Sequence, residues 1–347
     1  MDFGIFTFLL QDGLNSAAIY CLMAIAIILV FTTTRVLFVA QGDFLVLGAL
    51  TLSQLQLGRV PGTVWILAGL ALLAFAMEGA QALRERSRRR ALRAVLFCLL
   101  VPALVGGGVA WFSGKELGLA IDILATIALV GPIGPLLYRI AFQPLADKSI
   151  LVLMVVATAV HFVIISLSLI FFGAEGWRTP ALTDAQFALG PVLISGQVIA
   201  IIVTSLLLIV VLFLFFSNSV YGKSLIATAS NRVGARLMGI STAQSGMLSF
   251  AMASAIGCVS GILIGSITTI YYDTGLVLTL KGLIAAVFGG LASFPAAAAG
   301  AVILGLIESY SAFFASAYKE IILFSLLIPL LMWRFVLAGH QDLEEEA

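Results

Sequence analysis

The residues of this sequence best placed to do chemistry are the few ionisable side chains set inside long apolar stretches. Asp43 follows Arg35 by eight positions. A continuous helix would therefore carry it roughly 12 Å past the arginine into an apolar layer. Ionisable groups at that depth are costly, and they face a cavity or a partner. Asp43 could thus line a polar path or hydrogen-bond one helix to another, and the residues leave both readings open. Gln41 and Gly42 beside it suggest a helix interruption whose freed backbone groups could line a water-filled path. His161 and Glu308 also lie within apolar runs. His161 reads as a satisfied packing residue, whereas Glu308 could pair with Lys281 or with a backbone amide of the broken segment nearby. His161 and His340 are far apart, and no Ser/His/Asp or metal-ligand spacing occurs. The expectation is no catalytic residue, no metal and no cofactor.

The elements that must hold these groups follow from composition. Hydrophobic residues make up 62% of 347, and charged residues only 10%, against about 25% in ordinary soluble domains. The mean hydropathy is +1.17. A bilayer core about 30 Å thick needs about 20 apolar residues per helix and leaves no water for backbone groups. The runs here are continuous, as at 200–216, rather than alternating as in a transmembrane barrel. The predicted fold is all-α, a polytopic transmembrane helix bundle read as one membrane domain over 1–347. Apolar runs fall at 14–33, 36–57, 64–82, 94–112, 118–138, 149–172, 197–216, 244–272, 280–292, 296–314 and 320–337. That predicts about 9–11 membrane segments. The run at 280–292 is short, and Ser293-Phe294-Pro295 is a natural break, so a re-entrant hairpin or two packed spans are both open.

Lys and Arg set the direction. Alternate threading puts Arg35, Arg84, the arginines of 86–93, Arg139, Lys148, Lys223, Arg232, Arg236 and Arg334 on one side. Arg59, Lys115, Arg178, Lys281 and Lys319 fall on the other side or its margin. The first side is expected to be cytoplasmic, with the N-terminus outside and the acidic tail 342–346 inside. The first apolar run lacks a basic region before it and is expected to remain as a helix. Residues 217–243 then form a cytoplasmic segment, and 173–196 an external one containing Trp177, Pro180, Asp184 and Pro191.

Within the cytoplasmic segment, Leu225, Ala229, Val233 and Leu237 recur every four residues, with Arg232 and Arg236 on an adjoining face. This predicts a short amphipathic helix, its ends turned by Gly234 and Gly239. It could dock in a groove of a cytoplasmic partner or lie on the membrane surface. Gly222-Lys223-Ser224 is not a phosphate loop, because position 217 is Ser217 and an apolar helix precedes it. Gly257, Gly261 and Gly265 repeat on one helix face, which invites close helix packing; the glycine- and alanine-rich stretch 285–305 reads the same way. Cys21, Cys98 and Cys258 read as buried small hydrophobes. The basic stretch 84–93 reads as a topogenic loop against anionic headgroups, and nucleic-acid binding is not expected.

Three stretches carry a resemblance to a known family. Residues 14–50 hold Ala-Ile-Tyr-Cys-Leu-Met-Ala-Ile-Ala and then Ala40-Gln41-Gly42-Asp43 before an apolar run. Residues 222–240 are the second. The third is Leu-Lys-Gly-Leu-Ile-Ala-Ala-Val-Phe-Gly-Gly-Leu-Ala-Ser-Phe-Pro at 280–295, followed by Gly300, Gly305 and Glu308. Together they resemble the branched-chain amino acid ABC transporter permease family, of the LivH-like type, over most of 14–57 and 139–337. Phe38-Val39 departs from that family's pattern, and 75–117 is longer than it, as an insertion would be.

The resemblance implies an inner-membrane permease, not an enzyme. Its partners would be a second, homologous permease, two cytoplasmic ABC ATPases and an external solute-binding protein, all served by the lipid bilayer. It implies that Gln41, Gly42 and Asp43 lie near the translocation path, and that Lys281, Pro295 and Glu308 are structural or gating residues. The ATPase-coupling loop, about 217–243, would use Gly222, Lys223, Leu225, Ala229, Arg232, Gly234, Arg236, Leu237 and Gly239. An ion-gradient-driven secondary transporter or channel is the alternative, since broken helices and membrane carboxylates suit it too.

Overall fold

In the computed structural model, residues 3–84, 94–115, 118–146, 148–183, 185–189 and 192–332 are described. The arginines of 86–93, Asp184, Pro191, Arg334, His340 and the acidic tail fall outside them. Among the described residues, each apolar run contains helix, though 36–40 and 265–272 lie outside it. In chain order the helices are α1 (Phe3–Thr34), α2 (Gln41–Gln56) and α3 (Thr63–Arg84), then a π-helical segment Ala94–Leu100 leading into α4 (Val101–Phe112). Next come α5 (Leu119–Val130), α6 (Ile133–Leu137) with a π turn at Tyr138–Phe142, and α7 (Ile150–Phe172). After a two-stranded hairpin, β1 (Gln186–Leu189) and β2 (Val192–Ser195), follow α8 (Gly196–Asn218), α9 (Val220–Ser230) and α10 (Arg232–Leu237). The chain continues with α11 (Thr242–Ile264), α12 (Gly275–Phe288), α13 (Phe294–Phe314) and α14 (Lys319–Ser325). Among the described residues, eight helices are long and apolar enough to cross a membrane. At 16 and 14 residues, α2 and α12 rise only about 24 and 21 Å, short of the hydrocarbon thickness.

The chain divides into two compact units: one of Met1–Ile28, Thr183–Val210 and Leu278–Ala347, the other of Leu29–Leu182 and Val211–Val277. In the second, α11 is the central helix, and its small residues explain why. A Cβ on Gly261 would overlap the carbonyl of Leu45, and one on Gly257 would lie 2.8 Å from Phe44 Cβ. From the facing side, a Cβ on Gly48 would lie 2.6 Å from the Cys258 oxygen. The glycine repeat therefore seats α2 directly on α11 within one chain. Gly261→Leu is expected to cost at least about 1–3 kcal/mol through overpacking. Gly265→Ala, whose Cβ would meet its neighbours at 3.1–3.3 Å, should cost less; thermal unfolding in detergent measures both. An aromatic cluster closes one end of this interface, with Phe38, Phe142 and Tyr138 all packed on Phe250 at centroid distances of 4.9–5.2 Å.

In the first unit, α1 and α13 pack through Gly13 and Gly305: a Cβ on Gly305 would overlap the Gly13 carbonyl, and one on Gly13 would lie 2.9 Å from the Leu306 side chain. The predicted break is present: α12 ends at Phe288 and α13 begins at Phe294 with Pro295 in its first turn. Gly290 takes φ +64, and the Leu291 N–H reaches back to the Ala286 carbonyl at 3.0 Å, a Schellman stop. Ser293 then caps α13 by accepting the Ala296 N–H. Within 75–117, Ala94–Leu100 and α4 pack alongside α3.

Candidate functional site

The interruption expected at Gln41-Gly42 lies earlier in the chain. After α1 ends at Thr34, Arg35 adopts φ +60, and helix resumes at Gln41. The cause is local. Thr33 and Thr34 bond their hydroxyls back to the carbonyls of Leu29 and Val30, and the Val36 N–H turns to the Thr34 hydroxyl instead of a helical carbonyl. Gln41, Gly42 and Asp43 therefore form the first turn of α2, where the helix dipole favours a carboxylate. The depth counted along a continuous helix does not apply.

All three residues are enclosed. Gln41 is 0% and Asp43 2% exposed. Gln41 Nε2 donates to the Ala253 carbonyl of α11 at 2.9 Å. Both Asp43 oxygens lie within reach of His161 Nδ1 of α7, at 2.8 and 3.0 Å. Gly275 closes on this pair so tightly that a Cβ there would lie 2.7 Å from Asp43 Oδ1. Of the two readings, the geometry supports a hydrogen-bonded cluster that ties α2 to α7 and α11. His161, expected as a satisfied packing residue, is buried, and Asp43 is the partner of its Nδ1.

The second polar cluster is centred on Glu308. Its Oε1 accepts from Lys281 Nζ at 2.8 Å and Lys319 Nζ at 2.9 Å, and its Oε2 accepts from the Tyr20 hydroxyl. Lys281 also reaches Glu320 at 3.2 Å. The Lys281 alternative thus holds, and it bridges α12 to α13 across the break. Tyr20 had no sequence signal, because it lies in α1, 288 residues from Glu308; Lys319 and Glu320 stand together at the start of α14, just after α13. Burial opposes the charge of Lys319, but its hydrogen bond to Glu308 and the charges of Glu308, Glu320 and Asp12 outweigh this and raise its pKa.

The amphipathic segment differs from expectation. It is two helices rather than one, broken at Asn231, whose φ of −146 is extended and whose Oδ1 caps α10 by accepting the Gly234 N–H at 2.8 Å. The period of four is interrupted there, so it makes no single face. On α9, Gly222 and Leu225 are buried, Ala229 is half-buried and Lys223 is exposed. Gly222 is in close contact with the Phe215 carbonyl. On α10, Val233 and Leu237 are exposed at 69% and 83%. Arg232 is tied to the Ala146 carbonyl at 3.4 Å and Arg236 to the Thr242 hydroxyl at 3.0 Å. Gly239, at φ +81, ends the helix as predicted, whereas Gly234 lies inside α10 and turns no end. Among the described residues, no group of three His, Cys, Asp or Glu could hold a metal.

The fold defines a polytopic membrane protein with buried carboxylates held in two polar clusters. Comparison with known proteins gives the family. The model of the "Branched-chain amino acid transport system / permease component" family matches residues 9–331, and the chain belongs to that family. It is 28% identical over 217 residues to the high-affinity branched-chain amino acid transport system permease protein BraD of Pseudomonas aeruginosa, covering 60% of this chain and 71% of that one. It is 26% identical over 220 residues to LivH of Escherichia coli, covering 61% and 71%. The autoinducer 2 import system permease protein LsrC of Yersinia enterocolitica is 29% identical over 197 residues, covering 56% and 46%. No solved structure matches. The chain is thus the transmembrane permease subunit of an ATP-driven importer, a multi-pass inner-membrane protein and not an enzyme. As a permease component it works with ATPase and binding-protein subunits.

Proposed function

We propose that this chain translocates branched-chain amino acids or related small solutes, with urea, amides and small organic acids as the neighbouring possibilities. It pairs with a second, homologous permease as a heterodimer, with two ATPases on the cytoplasmic side and a binding protein outside. The N-terminus is external and the C-terminus cytoplasmic, in line with the sidedness of Lys and Arg. The observation that carries this reading is the exposed apolar surface of the short α9–α10 turn, set directly after a long apolar helix. Val220, Tyr221, Val233, Leu237 and Met238 are exposed at 69–83% on segments that also carry Lys223 and Arg236. Such a surface suits a groove in the ATPase. Residues 217–243 act as the coupling loop, and 173–196 meet the loaded binding protein. Gln41, Gly42 and Asp43 lie near the path and separate from their partners as it opens, while Lys281, Pro295 and Glu308 hold the broken helix.

Two substitutions test the coupling loop. Gly234→Pro deletes the N–H that Asn231 caps, and loss of such a cap costs about 1 kcal/mol. Arg232→Glu puts a carboxylate against the Ala146 carbonyl. Both should leave the protein inserted and ATP hydrolysis running while leucine uptake by cells expressing the full transporter drops several-fold. Unchanged uptake in both variants would remove this segment from the mechanism.

A further inference from the structure

Neither polar cluster accounts for a third, in the stretch that is longer than the family pattern. In α3, Glu78 is 8% exposed, and its Oε1 accepts from Arg139 Nε at 2.7 Å. Arg139 Nη1 lies 3.6 Å from Cys98 Sγ in the Ala94–Leu100 segment. Beside this ion pair is a cavity of about 120 Å³, lined by Ala74, Met77, Gln81 and Gln143 as well as the pair itself. The cavity holds room for several waters or one small polar group, far less than a drug-sized ligand needs.

Its position limits the occupant. Residues 119–145 form one apolar span of 27 residues through α5, α6 and the π turn. Arg139 lies 20 residues along, about 30 Å from the start, which is the thickness of the hydrocarbon. On that count the cavity lies one hydrocarbon thickness from the start of the span, at the end that carries Arg139 and, on α3, Arg84. Its rim is both apolar and polar, with Met77 36% exposed and Gln81 and Gln143 exposed beside it.

We propose that this cavity binds the phosphoethanolamine headgroup of a membrane lipid. The headgroup carries both charges of the site: its phosphate meets Arg139 and the amides of Gln81 and Gln143, and its ammonium meets the Glu78 carboxylate, which can accept several hydrogen bonds. Because Glu78 already balances Arg139, a purely anionic headgroup would face an acidic wall. A choline headgroup has no N–H to donate and needs more room. The stretch 75–117 thereby supplies Met77, Glu78 and Gln81 as the wall of a lipid site.

The test is native mass spectrometry of the purified full-length protein, exchanged into micelles doped with equal phosphatidylethanolamine, phosphatidylglycerol and phosphatidylcholine. One phosphatidylethanolamine should be retained at least fivefold over the other two. Glu78→Gln should reduce that retention at least fivefold. Met77→Trp, which fills the cavity and leaves the ion pair intact, should do the same, and it decides the matter if Glu78→Gln fails to fold. Preference for phosphatidylglycerol, equal retention of all three, no retained lipid, or retention unchanged in Met77→Trp would each overturn the proposal. So would displacement of the lipid by free leucine, which carries the same pair of charges without an acyl chain.

Discussion

Glu308→Ala is expected to lower unfolding stability by about 3–5 kcal/mol, the scale for removing one partner from a buried ion pair. The size of the effect follows from geometry. Glu308 is the one anion met by Lys281, Lys319 and Tyr20 together, and both it and Lys281 are buried at 4–6% exposure. Without it, the carboxylate left to Lys281 among the described residues is the half-exposed Glu320 at 3.2 Å, beside the Tyr20 ring at 5.9 Å. The effects should be unequal. Lys281→Met leaves Glu308 served by Lys319 and Tyr20, so it should cost clearly less. Glu308→Gln keeps an acceptor for Tyr20 and should fall between them. Midpoints of thermal unfolding in detergent, read by size-exclusion fluorescence, give the ranking. A Lys281→Met loss equal to that of Glu308→Ala would mean that Glu308 is not the centre of the cluster.

The second large effect is expected at the joint of α2 with α7. His161→Leu removes the contact of both Asp43 oxygens and leaves a carboxyl group enclosed by Gly275 and by α11. A buried polar group left without its partner costs about 1–3 kcal/mol, and more if it is charged. Asp43→Asn retains a hydrogen-bonding group of the same shape opposite His161 and should cost under about 1 kcal/mol. The two variants therefore separate a need for the hydrogen bond from a need for the charge. Equal losses would contradict the arrangement described here.

Much of the architecture could be read in advance because the bilayer imposes it. Among the described residues every apolar run contains helix, the break at Pro295 is where glycine and proline chemistry puts it, and the face of Gly257 and Gly261 packs as its spacing requires. Lys281 and Glu308 could be named as a pair because they flank the same break. What escaped reading depends on distance or on competition between local bonds. Tyr20 and Glu308 are 288 residues apart and Asp43 and His161 118 apart, so no local pattern joins them. The displaced interruption before Gln41 came from hydroxyls at Thr33 and Thr34 competing with helical hydrogen bonds. The split coupling segment had a visible cue: Asn231 is a favoured helix cap, and a cap inside a periodic pattern marks a new start. The β1–β2 hairpin lay in a segment read only as a polar connection.

Reconstitution of the permease with its partner permease, ATPases and binding protein into proteoliposomes gives the most direct test of the account. Labelled leucine uptake is measured with ATP on the ATPase side and no ion gradient, then with a proton gradient and no ATP. The account predicts uptake in the first condition and none in the second, with loss of uptake when the ATPases are omitted. Uptake by this chain alone, driven by the proton gradient, would contradict it.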